Sequence, residues 1–175
     1  MSALTPDMVI LGLLHHKPQH GYDLLASFQD PEQLGRVWKL STSQIYNVLK
    51  RLEQHTYIIG RTIESDTSPT RIEYHITALG ESQLMTWLNH PYPSASVRKI
   101  RVEFISKLHI ARLLGHDITP IIEAQKRACE DELSRLQTER KHAPFSTYSL
   151  VTDLVIGQLG AIMAWLPLCE IEEKS

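Results

Sequence analysis

The chain has 175 residues, of which 42% are hydrophobic and 22% charged, enough apolar material for a real core and too much for a disordered polymer. Its formal net charge is -2, and residues 1–90 hold seven Lys/Arg (17, 36, 39, 50, 51, 61, 71) against nine Asp/Glu. A nucleic-acid partner would therefore have to be met by a local patch, not by the field of a whole domain. Cys129 and Cys169 lie far apart with no CxxC spacing, which suits a reducing compartment. No basic-then-apolar leader opens the chain, so the expected location is cytoplasmic.

Pro6 to His15 reads as a helix buried on most sides, because Met8, Val9, Leu11, Leu13 and Leu14 are apolar. Residues 17–21, Lys-Pro-Gln-His-Gly, are a turn by composition. Tyr22 to Gln29 is a second helix with Leu24, Leu25 and Phe28 inward, stopped by Asp30-Pro31. Residues 34–40 follow no clear period, and Trp38 and Leu40 are expected to pack under the next helix.

That next helix is the most informative. Ser41 is a good N-cap, and Gln44 three residues on completes a capping box. Ile45, Val48, Leu49 and Leu52 define one apolar face. At about 100° per residue, the opposite face carries Ser43, Asn47, Lys50 and Gln54, flanked by Gln44, Tyr46 and Arg51. Such a face can hydrogen-bond base edges and phosphates, although a merely solvated face has the same composition.

Two strand-like runs follow, Tyr57 to Glu64 and Arg71 to Ile76, joined by Ser65-Asp66-Thr67-Ser68-Pro69. In the second run Ile72, Tyr74 and Ile76 alternate onto one face, with Ile59 and Ile63 in the partner strand. The short polar tip, with Arg61, Thr70 and Arg71 near it, suits a wing laid along a phosphate backbone. Thr77 then caps a helix to about Asn89, with Leu84, Trp87 and Leu88 on one side. This order is that of a winged helix-turn-helix.

The two prolines of His90-Pro91-Tyr92-Pro93 mark a stiff linker. We expect a winged helix-turn-helix over residues 1–90, a linker over 91–96 and an all-α dimerisation domain over 97–175, so the fold class is mainly α with a small β-hairpin wing. Val97 to Leu114 reads as one helix with Val102, Ile105, Leu108 and Ala111 or Arg112 along a stripe, ended by Gly115. Thr119 as N-cap and Pro120 at the first helical position open a helix to about His142. Its Ile122, Cys129, Leu133 and Leu136 form a narrow, coiled-coil-like seam among charges.

The last helix, about Thr147 to Leu166, is nearly encircled by apolar side chains, and Gly157, Gly160, Ala161 and Ala164 would let another backbone come close. Thr152, Asp153 and Gln158 interrupt it and Pro167 sits near its end, so a buried subunit interface is a better reading than a membrane span. Leu154, Gly157, Ala161, Met163 and Trp165 are the expected dimer contacts.

Four stretches carry a resemblance: Ile10-Leu11-Gly12-Leu13-Leu14, His20-Gly21-Tyr22-Asp23-Leu24, residues 45–53 (Ile-Tyr-Asn-Val-Leu-Lys-Arg-Leu-Glu) and residues 74–80 (Tyr-His-Ile-Thr-Ala-Leu-Gly). In this order and spacing they resemble the PadR family of bacterial transcriptional regulators across residues 8–88. The tail from Val97 is similar, more loosely, to the helical tail of virulence-activator-type members. The resemblance implies a homodimer with an N-terminal winged helix and C-terminal helices paired across a two-fold axis. It usually implies a repressor, in some members released by a small aromatic or hydrophobic effector near the dimer interface, with no metal or organic cofactor. Two positions depart from the family pattern. Asn47 stands where Pro is usual and could pair with adenine. Thr56 stands where Gly is usual, and because a β-branched residue disfavours positive φ, His55 or Gln54 is expected to take that conformation instead.

On this reading Asn47 and Gln44 are candidates for base edges. Ser43, Tyr46, Lys50 and Arg51 would hold phosphates or flank the site, and Arg61, Thr70 and Arg71 would position the wing. The competing readings are a winged helix kept for protein contacts, which the acidic balance of residues 1–90 favours, and an activator without an effector. No phosphate-binding Gly loop, nucleophile elbow or paired carboxylates stand out, so no catalytic residue is expected. His16 and His20 flank Pro18, and His109 and His116 straddle Gly115, so no metal site is expected either. His15, His16 and His75 leave a pH response open. Trp38 and Trp87 read as core anchors, and Trp165, with Met163 and Leu166, as either an anchor or the wall of an effector cavity between subunits.

Overall fold

The structure, a computed structural model, describes residues 4–64 and 71–170. It is mostly helical with one small antiparallel sheet: α1 (Asp7–His16), β1 (Gln19–His20), α2 (Gly21–Gln29), α3 (Thr42–Gln54), β2 (Ile58–Ile63), β3 (Arg71–Ile76), α4 (Ala78–Leu88), α5 (Val97–Lys99), a π turn (Ile100–Phe104), α6 (Ile105–Leu113), α7 (Thr119–His142), α8 (Thr147–Trp165) and a 3-10 turn (Leu166–Glu170). The sheet order is β1-β3-β2.

The chain divides into two compact units, Met1–Asn89 with Ile105–His116, and His90–Phe104 with Asp117–Ser175. The first is the winged helix. Ile10, Leu11 and Leu14 of α1, Leu24 and Phe28 of α2, Ile45, Leu49 and Leu52 of α3, Ile58 of β2 and Leu84 of α4 are buried together. Gly12 lets α6 come close, since a Cβ there would meet Ile110 Cγ2 at 2.3 Å. Ile110 is wholly buried, Trp38 Nε1 donates to Ser106 Oγ at 2.9 Å, and Lys107 Nζ lies 5.4 Å from the Trp87 ring centre.

The helical run from Val97 to Leu113 is unbroken, as expected, but it does not belong to the tail alone. Ile100, Val102 and Phe104 are buried in the π turn, and Ser106, Leu108, Ile110 and Ala111 are buried in α6. An insertion of this kind shifts the inward face, so one stretch serves two cores. A single 3.6-residue stripe fitted to both halves hides this. Trp38 likewise turns to α6 rather than only under α3.

The 17–21 turn contains β1, whose Gln19 and His20 pair with Tyr74 and Glu73. Two residues are too few for any alternation to announce a strand. Within the wing, Ile58 faces Ile76, Gly60 faces Tyr74 and Thr62 faces Ile72. Ile59 and Ile63 therefore point to the other side of the sheet from Ile72, Tyr74 and Ile76, and both are exposed.

In the second unit α7 packs on α8. Ile122, Gln125, Cys129 and Leu136 are buried along α7, whereas Leu133 is half-buried. The N-cap of α7 is Ile118, one residue earlier than the Thr-Pro signal suggests, with Thr119 N–H donating to Asp117 Oδ1 at 2.9 Å. Ser146 and Ser149 form a capping box at α8. Arg140 of α7 donates to Asp153 of α8 at 2.7 Å, and Tyr148 donates to Glu139 at 3.0 Å.

Candidate nucleic-acid interface

Helix α3 begins as its sequence requires. Ser41 Oγ accepts from Gln44 N–H at 3.3 Å, and Gln44 Oε1 accepts from Ser41 N–H at 2.8 Å. The cap thus commits the Gln44 carbonyl and leaves its Nε2 as the atom to offer a base. Ile45, Val48, Leu49 and Leu52 are buried, while Ser43, Gln44, Tyr46, Asn47, Lys50 and Gln54 are exposed. Amphipathic spacing does this by itself: burying four aliphatics leaves the polar side chains together on the wet side.

Three contacts hold this helix in place. A Cβ on Gly21 would lie 3.0 Å from Tyr46 Cε1, so the first residue of α2 sits flat against that ring. Glu53 Oε1 accepts from Gly60 N–H at 3.2 Å, tying the helix end to β2. Arg51, expected to hold a phosphate or flank the site, is engaged by Asp7: Nε and Nη2 donate to Oδ1 and Oδ2 at 2.8 and 2.6 Å. Burial pushes the Asp7 carboxyl upward, but hydrogen bonds from Arg51 and Thr5 and the guanidinium charge outweigh it and hold Asp7 below its ordinary value. Asp7 in turn raises Arg51.

Beside α3 stands the wing, with Arg61 opposite Glu73, and Arg71 opposite Ile63. Both arginines are exposed, and Thr70 lies outside the described residues. Lys39 is a candidate that the helix period could not supply. With Phe28, Trp38, Leu40, Ser41 and Gln44 it lines a shallow groove of about 490 Å³ at the start of α3. Its signal in the sequence is only a basic residue two places before the N-cap.

In the helical unit, Leu150, Leu154, Gly157 and Ala161 are exposed along one stripe of α8, Leu154 being 61% exposed. Gly157 and Gly160 have open space where a Cβ would stand. Trp165 lies at the end of that stripe, half-buried, its ring edge-on to Phe104 at 6.1 Å between centres. Met163 does not join it. It sits on the opposite side, with the buried Ser149, Thr152 and Leu159. By length and composition Thr147–Glu170 could also cross a membrane, and only 22% of its most apolar window is buried. A cavity of about 470 Å³ in this unit is lined by Ser94, Val97, Arg98, Glu132, Val155 and Gln158. Among the described residues no group of His, Cys, Asp or Glu is arranged to hold a metal ion.

A family model described as the transcriptional regulator PadR-like family matches residues 10–86. The negative transcriptional regulator PadR of Bacillus subtilis (strain 168) is 32% identical over 131 residues, covering 73% of this chain and 69% of that protein. The chain belongs to the PadR-like family of transcriptional regulators. Solved structures of Bacillus subtilis PadR are also similar. The complex with operator DNA shares 26% identity over 93% of this chain and 94% of that one, with a TM-score of 0.48. The complex with p-coumaric acid shares 24% identity over 97% and 100%, with a TM-score of 0.43.

Against the PadR pattern, Asn47 keeps its place in mid-helix, exposed, on the side of α3 away from the buried Ile45, Val48, Leu49 and Leu52. The second departure resolves differently from the expectation. Thr56 itself adopts φ +58, while His55 stays at φ -85. The reason is the helix-ending motif: Tyr57 N–H donates to Leu52 O at 2.9 Å and Thr56 N–H to Glu53 O at 2.8 Å, a pattern that needs a left-handed residue after the cap. Thr56 Oγ1 donates to His55 O at 2.6 Å, and its own carbonyl accepts from Thr77 Oγ1 at 2.7 Å. The turn thereby joins the cap of α4.

Proposed function

We propose that this PadR-like regulator is a homodimeric repressor that binds an inverted-repeat operator, each protomer laying the exposed face of α3 in a major groove. The observation that carries the reading is the wet stripe of Ser43, Asn47 and Lys50 opposite a fully buried aliphatic face. Asn47 is the side chain that reads a base, since its amide can pair with the N6 and N7 edge of adenine, and Gln44 Nε2 is the second candidate. Ser43, Tyr46 and Lys50 flank it on phosphates, joined by Lys39 at one end and by Arg61, Thr70 and Arg71 of the wing at the other. Arg51 is withdrawn from that set because its Nε and Nη2 are turned to Asp7. The sign of regulation rests on the relative, a negative transcriptional regulator at 32% identity.

The exposed stripe of α8 is the surface on which two copies would meet. A two-fold pair sets the half-site centres about 34 Å apart, or a multiple of that distance. Release by a small hydrophobic or aromatic effector is part of the proposal. It is supported by a cavity in the helical unit that offers Val97 and Val155 beside Arg98. No cofactor is invoked.

A gel shift with DNA from its own promoter tests this. A shift to a dimer-sized complex is expected, weakened by Asn47→Ala with a loss of discrimination worth about 1–3 kcal/mol at one base pair. No shift on any DNA would leave the wing and helix as a protein-docking surface, the reading that the excess of acid in residues 1–90 favours.

A further inference from the structure

We propose that the Asp7–Arg51 pair is a positioning clamp for base reading: it fixes the rotation of α3 about its own axis and touches no DNA. The proposal rests on the DNA reading above and goes beyond it, because Asp7 lies on α1, outside the DNA-facing set.

The aliphatic contacts of Ile45, Val48, Leu49 and Leu52 pull α3 onto the core but are non-directional, and an apolar seam tolerates small rotations. A bidentate guanidinium–carboxylate pair does not, because two parallel N–H···O bonds fix both distance and plane. Asp7 is the first residue of α1, and the next residues of that helix, Val9 to Leu14, are core. The anchor is therefore rigid. Its carboxylate is largely buried, the side chain being 15% exposed against 41% for Arg51. Arg51 follows Asn47 by four residues, one turn along nearly the same line of the helix. Any roll of α3 that carries Arg51 away from Asp7 carries Asn47 with it, and a recognition group must be held to within about 0.5 Å.

Operator titrations over a range of salt, on variants shown to be folded at the assay temperature, distinguish the alternatives. Asp7→Asn and Arg51→Met are each expected to weaken operator binding about tenfold, as residues that touch neither partner can. The salt slope stays unchanged, selectivity falls at the base read by Asn47, and the conservative Asp7→Glu retains binding. The sign for Asp7→Asn is decisive. It removes an acid and frees a cation, so simple electrostatics predicts tighter binding. Tighter binding, or a slope smaller by about one in Arg51→Met, would make Arg51 a phosphate contact and overturn the clamp. Unchanged affinity in the folded variants would make the pair merely structural and overturn it as well. Failure of the unaltered protein to bind any DNA would instead bring down the DNA reading, and the clamp with it.

Discussion

Thr56 shows what a single residue can reveal. Its φ of +58 places a β-branched side chain in the left-handed region, where such residues carry strain of about 1–3 kcal/mol. Thr56→Gly removes that strain and returns only part of it as unfolded-state entropy. Stability to urea should rise by about 1 kcal/mol, and a loss of stability would mean that the hydroxyl bond to His55 O outweighs the backbone term. The sequence showed that Thr56 is out of place but not which residue would yield, because the answer depends on the Leu52 and Glu53 carbonyls that the turn must satisfy. Asp7 carries a pH signature. Its carboxyl sits below the ordinary 3.8 in the folded chain, so its stabilising contribution is complete above that value and is lost as pH falls through the depressed folded value. Asp7→Asn should therefore lower stability near neutrality and flatten the acid limb below about pH 4, measured as urea midpoints against pH. An acid limb identical to that of the unaltered chain would show that the pair does not persist in solution.

At the level of elements, legibility followed the strength of local signals. Helix α3 could be read in full, because its cap, its aliphatic face and its polar face are all encoded within residues 41–54. The π turn at Ile100–Phe104 could not, because the helical run continues through it and only the burial, of Ile100, Val102 and Phe104 within it and of Leu108, Ile110 and Ala111 after it, marks it. Wing facing stayed open for a related reason: alternation gives two faces but not which partner residue shares one, and the Ile58–Ile76 register supplies that. Of the candidate site, the α3 face and the wing arginines were visible, whereas the capture of Arg51 by Asp7, 44 residues away, has no local signal. Helix α8 bears its own prediction. Leu154 is 61% exposed, so Leu154→Glu should leave the subunit folded while placing a charge in the proposed interface. Sedimentation equilibrium at micromolar concentration should then give the mass of one chain where the unaltered protein gives two. An unaltered mass for the variant would move the interface elsewhere.

For the whole molecule, the boundary drawn at the proline-rich linker is only partly the structural one. Ile105–His116 returns to the winged helix after the linker has left it, through a glycine gap at Gly12 and a tryptophan hydrogen bond to Ser106. A chain-order reading assigns residues to domains by adjacency, and this return crosses that order. The family assignment does not depend on it, resting on residues 10–86 and on a relative that this chain matches over most of its length. The central claim is that Asn47, held outward on α3 in each half of a symmetric pair, reads a base. Selection of bound sequences from a random DNA pool, run in parallel with the unaltered chain and Asn47→Ala, tests it most directly. The unaltered chain should enrich an inverted repeat with half-site centres about 34 Å apart or a multiple of it, and the variant should keep that spacing while losing preference at one position in each half. Enrichment of the same sequences by both proteins, or of none by either, would contradict it.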